Sequence, residues 1–180
     1  MADVYTFFLK NWPDCPYDKF LITNHINFKN QHFQTIIIGN DESWSKTLFK
    51  AINILERTYN CVIIALEDLP IIKKINQEQV HFVINSFFDV NGNYLNLVNR
   101  PKPMSYFNRS FGLVEKGSLY RPSCVYSLWN INILKSLIEI DENAWEFERY
   151  GAERSDIYGG FYTVYKGLFN IINTVSKDVG

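Results

Sequence analysis

The sequence is poor in the features that mark the common enzyme classes. It has no glycine-rich phosphate loop of either the P-loop or the dinucleotide type. Ser123 and Ser127 lack the Gly-x-Ser-x-Gly setting of a hydrolase nucleophile. His25, His32 and His81 are not spaced as metal ligands, and no cysteine stands close to them. The cysteines number only three, Cys15, Cys61 and Cys124, far apart and odd in count. That argues against a disulfide framework and for a reducing compartment. No apolar run approaches the roughly 20 residues that span a bilayer, no basic leader with an apolar core opens the chain, and no amphipathic basic helix stands out. A cytoplasmic protein is expected. The formal net charge is −1, so no global field draws nucleic acid, which is not an expected partner. Internal repeats, low-complexity tracts and linkers are missing as well.

What is present is a globular composition, 47% apolar and 16% aromatic, over 180 residues. That suits one domain, residues 1–180, with a sizeable core. The organising stretch is Cys61-Val62-Ile63-Ile64-Ala65-Leu66-Glu67-Asp68-Leu69-Pro70. Six apolar residues run into two carboxylates, which predicts a strand buried on both faces. Ahead of it, Thr35–Ile38 reads as a β-branched strand, and Trp44 to Thr58 as a helix with Trp44, Leu48, Ala51, Ile52 and Leu55 on one face. Asp41 or Ser43 is its N-cap. Strand, helix, strand in this order predicts a parallel βαβ unit.

Further helices are predicted at Val4–Asn11, Gln77–Phe88, Ile131–Ile138, Ala144–Tyr150 and Phe169–Ser176. Strands are predicted at Lys19–Thr23, Tyr94–Val98 and Phe161–Tyr165. Residues 104–120 read as irregular strands or an insertion. The fold class is mixed α/β.

The chemistry left open to such a chain rests on carboxylates, aromatics and a few arginines. Open α/β sheets place their ligands outside the carboxyl ends of the strands, where Glu67 and Asp68 would lie. A second cluster is Trp145-Glu146-Phe147-Glu148. Two carboxylate groups with separate roles suit a group transfer, one beside the leaving group and one removing a proton from the acceptor. Asn143-Ala144-Trp145-Glu146 has the spacing of a capping box, which gives Glu146 a structural duty. Glu148 has none and is the better candidate base. Trp145 could stack on a sugar ring or close the core. Arg121 and Arg154 carry forked donors that suit phosphate.

Taken together, Leu66-Glu67-Asp68, Tyr120-Arg121, Ser127-Leu128-Trp129-Asn130, Glu142 to Glu148 and Gly151-Ala152-Glu153-Arg154-Ser155 resemble a bacterial glycosyltransferase family. Its members serve surface polysaccharide synthesis: capsule, O-antigen and lipopolysaccharide. The early stretch with Asn11-Trp12-Pro13 and Ile22-Thr23-Asn24 is similar, as is Trp44-Ser45 at a helix start. The resemblance covers nearly the whole chain, and Trp145 to Ser155 is its most specific part.

It implies a GT-A-like fold, a nucleotide-binding mixed sheet flanked by helices. It also implies a nucleotide-sugar donor, a glycan or lipid-linked acceptor, and work at the inner face of the membrane. By position, Glu67, Asp68, Arg121 and Arg154 fall on the donor side, Trp145 and Trp129 on the acceptor side, and Glu148, or failing it Glu146, at the base. A divalent cation, Mg²⁺ or Mn²⁺, would be held at Asp68. Two departures stand out. Asp68 is followed by Leu69-Pro70 where many such enzymes carry Asp-x-Asp. The family's first strand, ahead of the first helix, has no counterpart. The resemblance then implies a sheet left open, either non-catalytic and still binding nucleotide or glycan, or completed by pairing with another chain.

Overall fold

The computed structural model describes residues 4–172. In chain order these form α1 (Val4–Asn11), β1 (Phe20–Thr23), β2 (Gln34–Ile37), α2 (Trp44–Leu55), β3 (Cys61–Ile64), α3 (Gln77–Asp89) and β4 (Tyr94–Asn96). Then come β5 (Ser105–Tyr106), β6 (Phe111–Leu113), β7 (Ser127–Asn130), α4 (Ile131–Leu137), α5 (Ala144–Ser155) and β8 (Phe161–Val164). The fold is mixed α/β. A six-stranded mixed sheet has the order β3-β7-β4-β8-β6-β5, and β1 and β2 make a separate parallel pair.

Strand alternation sorts side chains onto two faces. Leu95, Leu128, Tyr162 and Phe111 point to one face and join Val80, Val83, Ile84 and Phe87 of α3, with Trp12 just past α1. Tyr94, Trp129 and Phe161 point to the other. There they meet Leu48, Ala51, Ile52 and Leu55 of α2, Leu134 and Leu137 of α4, and Phe147 of α5. Local chemistry fixes the helix starts. The side chains of Ser43 and Asn76 accept from the backbone N–H of Lys46 and Gln79, satisfying donors a helix start leaves orphaned.

Several expectations hold, with boundaries shifted by a residue or a few, and others need correction. β3 is an edge strand, half-buried along its whole length, not a strand covered on both faces. It pairs antiparallel with β7, and β2 pairs with β1 instead, so the parallel crossover from β2 through α2 to β3 does not form. An apolar run serves either kind of pairing. Here β7, which the sequence reading passed over as a lead-in to α4, occupies the place beside β3. Helix α5 continues through Gly151 to Ser155, because Phe147, Gly151 and Ser155 keep one buried face at i, i+4 spacing. Residues 104–120 hold the β5–β6 hairpin. Residues 169–172 are not helical, and the rest of the expected last helix lies outside the described residues. None of the described helices is long and apolar enough to cross a membrane.

Candidate functional site

The register across the sheet defines one end of it. Ile64 of β3 pairs with Ser127 of β7, Ser127 with Asn96 of β4, and Asn96 with Thr163 of β8. Strands β3, β4 and β8 therefore run the same way and finish at the same edge, and the segment leading into β7 starts there. Ser127, Asn96 and Thr163 are each fully buried, forming a polar row at the last pair of the sheet. The Asn96 side chain accepts from the N–H of Val98 and Arg100, which turns the chain sharply after β4.

Two of the expected carboxylate sets lie at this end of the sheet, one on the segment that leaves β3 and one held by the segment that enters β7. Glu67 and Asp68 form the turn directly after β3, with Glu67 exposed. Glu148 comes from α5. Its Oε1 accepts from Ser123 Oγ at 2.8 Å and from the Cys124 N–H at 2.8 Å, in the segment that enters β7. Glu148 Oε2 has no hydrogen bond among the described residues. Trp145 stands one turn earlier on α5, at the i, i+3 spacing that shares a helix face, and is 77% exposed. Glu148 is thus anchored by one oxygen beside an exposed indole.

The other expected site residues are placed elsewhere. Trp129 is fully buried, its Nε1 donating to Ser127 Oγ at 2.8 Å, and it offers an acceptor no surface. Arg121 is buried as well. Its guanidinium donates to the carbonyls of Val114, Ser155 and Tyr158 and lies 4.0 Å from the centre of the Phe161 ring. It cannot hold a donor phosphate without giving up those bonds. Arg154 is committed too, with both terminal nitrogens on the Glu142 carboxylate at 2.8 and 2.7 Å and Nε on the Leu137 carbonyl. Glu146 closes the capping box with Asn143: its carboxylate accepts from the Asn143 N–H at 2.8 Å, and the Asn143 side chain accepts from its N–H at 2.9 Å. These four are structural because hydrogen bonds use up their polar capacity, to near neighbours for Trp129 and Glu146 and to distant segments for Arg121 and Arg154.

The sequence reading missed the polar row and the residues around it. Asn99 and Tyr126 both flank this edge with positive φ, 62° and 42°, a backbone region that non-glycine residues occupy at a cost and that concentrates at functional sites. The hydroxyls of Tyr94 and Thr163 and the side-chain oxygen of Asn99 are buried with no hydrogen-bond partner among the described residues. Buried polar atoms are nearly always paired. Asn-x-x-Asn at the end of an apolar strand, Asn96 and Asn99, is the signal that could have been weighed. No group of three His, Cys, Asp or Glu that could hold a metal ion occurs among the described residues. An open depression of about 530 Å³ lined by residues 27–35 lies on the β1–β2 connection, apart from the carboxylates.

Burial pushes the hydroxyls of Tyr94 and Tyr126 and the thiol of Cys124 well above their ordinary values. The Glu148 carboxylate adds to this at Tyr94 and Cys124. All three groups stay protonated in the fold, whereas in the unfolded chain they ionise near pH 8.5 for Cys and 10 for Tyr. Above those values the unfolded state binds fewer protons, so stability is full below about pH 8.5 and falls as pH rises, by about 1.4 kcal/mol per pH unit for each group engaged. Urea midpoints measured from neutral pH to about pH 11 should therefore drop steeply in the alkaline half. A flat profile would contradict the burial of these groups.

No protein-family model, curated protein or solved structure matches this chain.

Proposed function

We propose that the protein is a glycosyltransferase-like protein of GT-A-like fold. It would transfer a sugar from a nucleotide-sugar donor to a glycan or lipid-linked acceptor in bacterial surface polysaccharide synthesis. The observation that supports this reading is that Glu148, held by the segment entering β7, and Glu67 with Asp68, on the segment leaving β3, stand at the same end of the sheet. Two carboxylate groups from residues roughly 80 apart in sequence then flank the carboxyl ends of parallel strands, the usual ligand position in open α/β sheets.

In this reading Glu148 is the base. Ser123 Oγ and the Cys124 N–H hold its Oε1, and Oε2 takes the proton from the acceptor hydroxyl as that oxygen attacks the anomeric carbon. The donor's diphosphate leaves from the opposite face, so the reaction inverts. Trp145 offers a flat exposed face for the acceptor sugar. A divalent cation, Mg²⁺ or Mn²⁺, would be held by Glu67 and Asp68 and would neutralise the leaving diphosphate. A second reading, a binding protein that keeps nucleotide or glycan without transfer, is favoured by one observation. Leu69 and Pro70, where another carboxylate would follow Asp68, are buried.

Thermal melts with UDP, GDP, CMP and dTDP, each with Mg²⁺ or Mn²⁺, test the donor side. A ligand at a hundredfold its Kd adds about 2.7 kcal/mol to stability, so at least one nucleotide should raise Tm by several degrees. Asp68→Asn should remove that shift, and Glu148→Gln should keep it. Absence of a shift with all four nucleotides would sink the transferase reading.

A further inference from the structure

A second surface is built from the 100–120 segment and has a different character. Exposure alternates along residues 100–106. Arg100, Lys102, Met104 and Tyr106 are exposed, while Pro101, Pro103 and Ser105 between them are half-buried. Met104 and Tyr106 are 63% and 74% exposed. The loop after β6 lies beside them, with Ser118 Oγ 2.9 Å from Met104 Sδ, and the next residue, Leu119, is 75% exposed. Tyr106 stacks on Tyr165 with ring planes 14° apart, so its ring is held outward and not folded onto the core. At Gly112 an added Cβ would lie 2.6 Å from Pro103 Cβ, and the missing side chain lets this strap lie flat against the hairpin.

The charge here is as uneven as the hydrophobicity. Residues 100–120 carry four cations, Arg100, Lys102, Arg109 and Lys116, against the single carboxylate of Glu115. That carboxylate accepts from Ser105 Oγ at 2.6 Å. The rest of the chain has 14 cations to 18 anions. A segment rich in cations that also exposes tyrosine, methionine and leucine combines two matched features. Tyrosine favours the level of lipid headgroups, and Lys and Arg near an anionic bilayer gain about 1 kcal/mol each. We propose that this face docks on an anionic lipid surface, with Met104, Tyr106 and Leu119 entering the headgroup layer and the flanking cations on lipid phosphates. The inference stands apart from the transferase reading. If both hold, docking brings the carboxylate edge near a lipid-borne acceptor, since Asn99 at that edge donates to the Tyr165 carbonyl.

Co-sedimentation of the full chain with phosphatidylcholine vesicles, with and without phosphatidylglycerol, tests it. Binding should require phosphatidylglycerol and weaken with added salt. Arg100→Gln with Lys102→Gln should lower partition about thirtyfold, the equivalent of two cations at ~1 kcal/mol each. Met104→Ser, Tyr106→Ser and Leu119→Ser together should also release the protein, and thermal melts should confirm that both variants stay folded. The proposal is overturned by equal pelleting with both vesicle types or with neither, or by folded variants that bind as well as the parent. It is also overturned if soluble polyglutamate displaces the protein at matched charge, which would make the face a site for acidic protein segments.

Discussion

Arg121→Met is expected to destabilise the protein by about 3–5 kcal/mol, the range for stranding the partners of a buried charge. The side chain is only 3% exposed. It ties together three segments: the end of β6 through the Val114 carbonyl at 3.2 Å, the end of α5 through Ser155 at 2.5 Å, and the turn before β8 through Tyr158 at 3.0 Å. Phe161 of β8 lies under the guanidinium, and the Asp156 carboxylate is 3.9 Å away. Methionine keeps the length and apolar stem but donates nothing, so the Val114 and Tyr158 carbonyls lose this donor and the Ser155 carbonyl keeps only the Tyr158 N–H. Arg121→Lys should fall between, because an ammonium cannot reach carbonyls spread as a fork does. Urea denaturation checks this: the midpoint should fall with the slope unchanged. A loss below about 1 kcal/mol, the range for exposed pairs, would show that the guanidinium is solvated after all.

Glu148→Gln is expected to lower kcat for sugar transfer by 10² to 10⁴, about the usual share of a positioned general base. The glutamine carbonyl can still accept from Ser123 Oγ and the Cys124 N–H, so Tm should change little and the donor KM should hold. Glu148→Ala would be less informative, because it strands both donors and disturbs the segment entering β7. Trp145→Ala should act on the acceptor instead, raising its KM while donor binding stays as it was. The measurement is steady-state transfer with whichever donor nucleotide stabilises the fold. Glu148→Gln retaining full kcat would remove this carboxylate from the reaction and leave the non-catalytic binding reading.

The two substitutions concern residues that look alike in sequence terms, polar groups on a predicted donor or acceptor side. Only their neighbours separate them. Glu146 was legible as a capping residue because its partner, Asn143, is three positions away, and local spacing is visible in a sequence. Glu148 was legible as the remaining candidate by the same reasoning. Arg121 and Arg154 were not legible as structural. Their acceptors include Ser155, Tyr158 and Leu137, brought close only by the fold. Trp129 went unrecognised as core for a related reason: β7 was hidden between a turn and a helix, and a strand of four residues has no periodicity long enough to stand out.

By itself the sequence determined most of the helices, the caps at Ser43 and Asn143 and several of the apolar strands, because hydrophobic period and side-chain capping act over a few residues. It also marked Glu67 and Asp68 at a strand end, and Trp145 and Glu148 on a helix, as candidate site residues. The tertiary structure decided strand pairing, since the Cys61 to Leu66 run is compatible with a parallel or an antiparallel neighbour and β7 supplied the latter. It decided which arginines are spent inside and which edge gathers carboxylates. It also decided that Arg100, Lys102, Met104 and Tyr106 are exposed while the residues between them are half-buried.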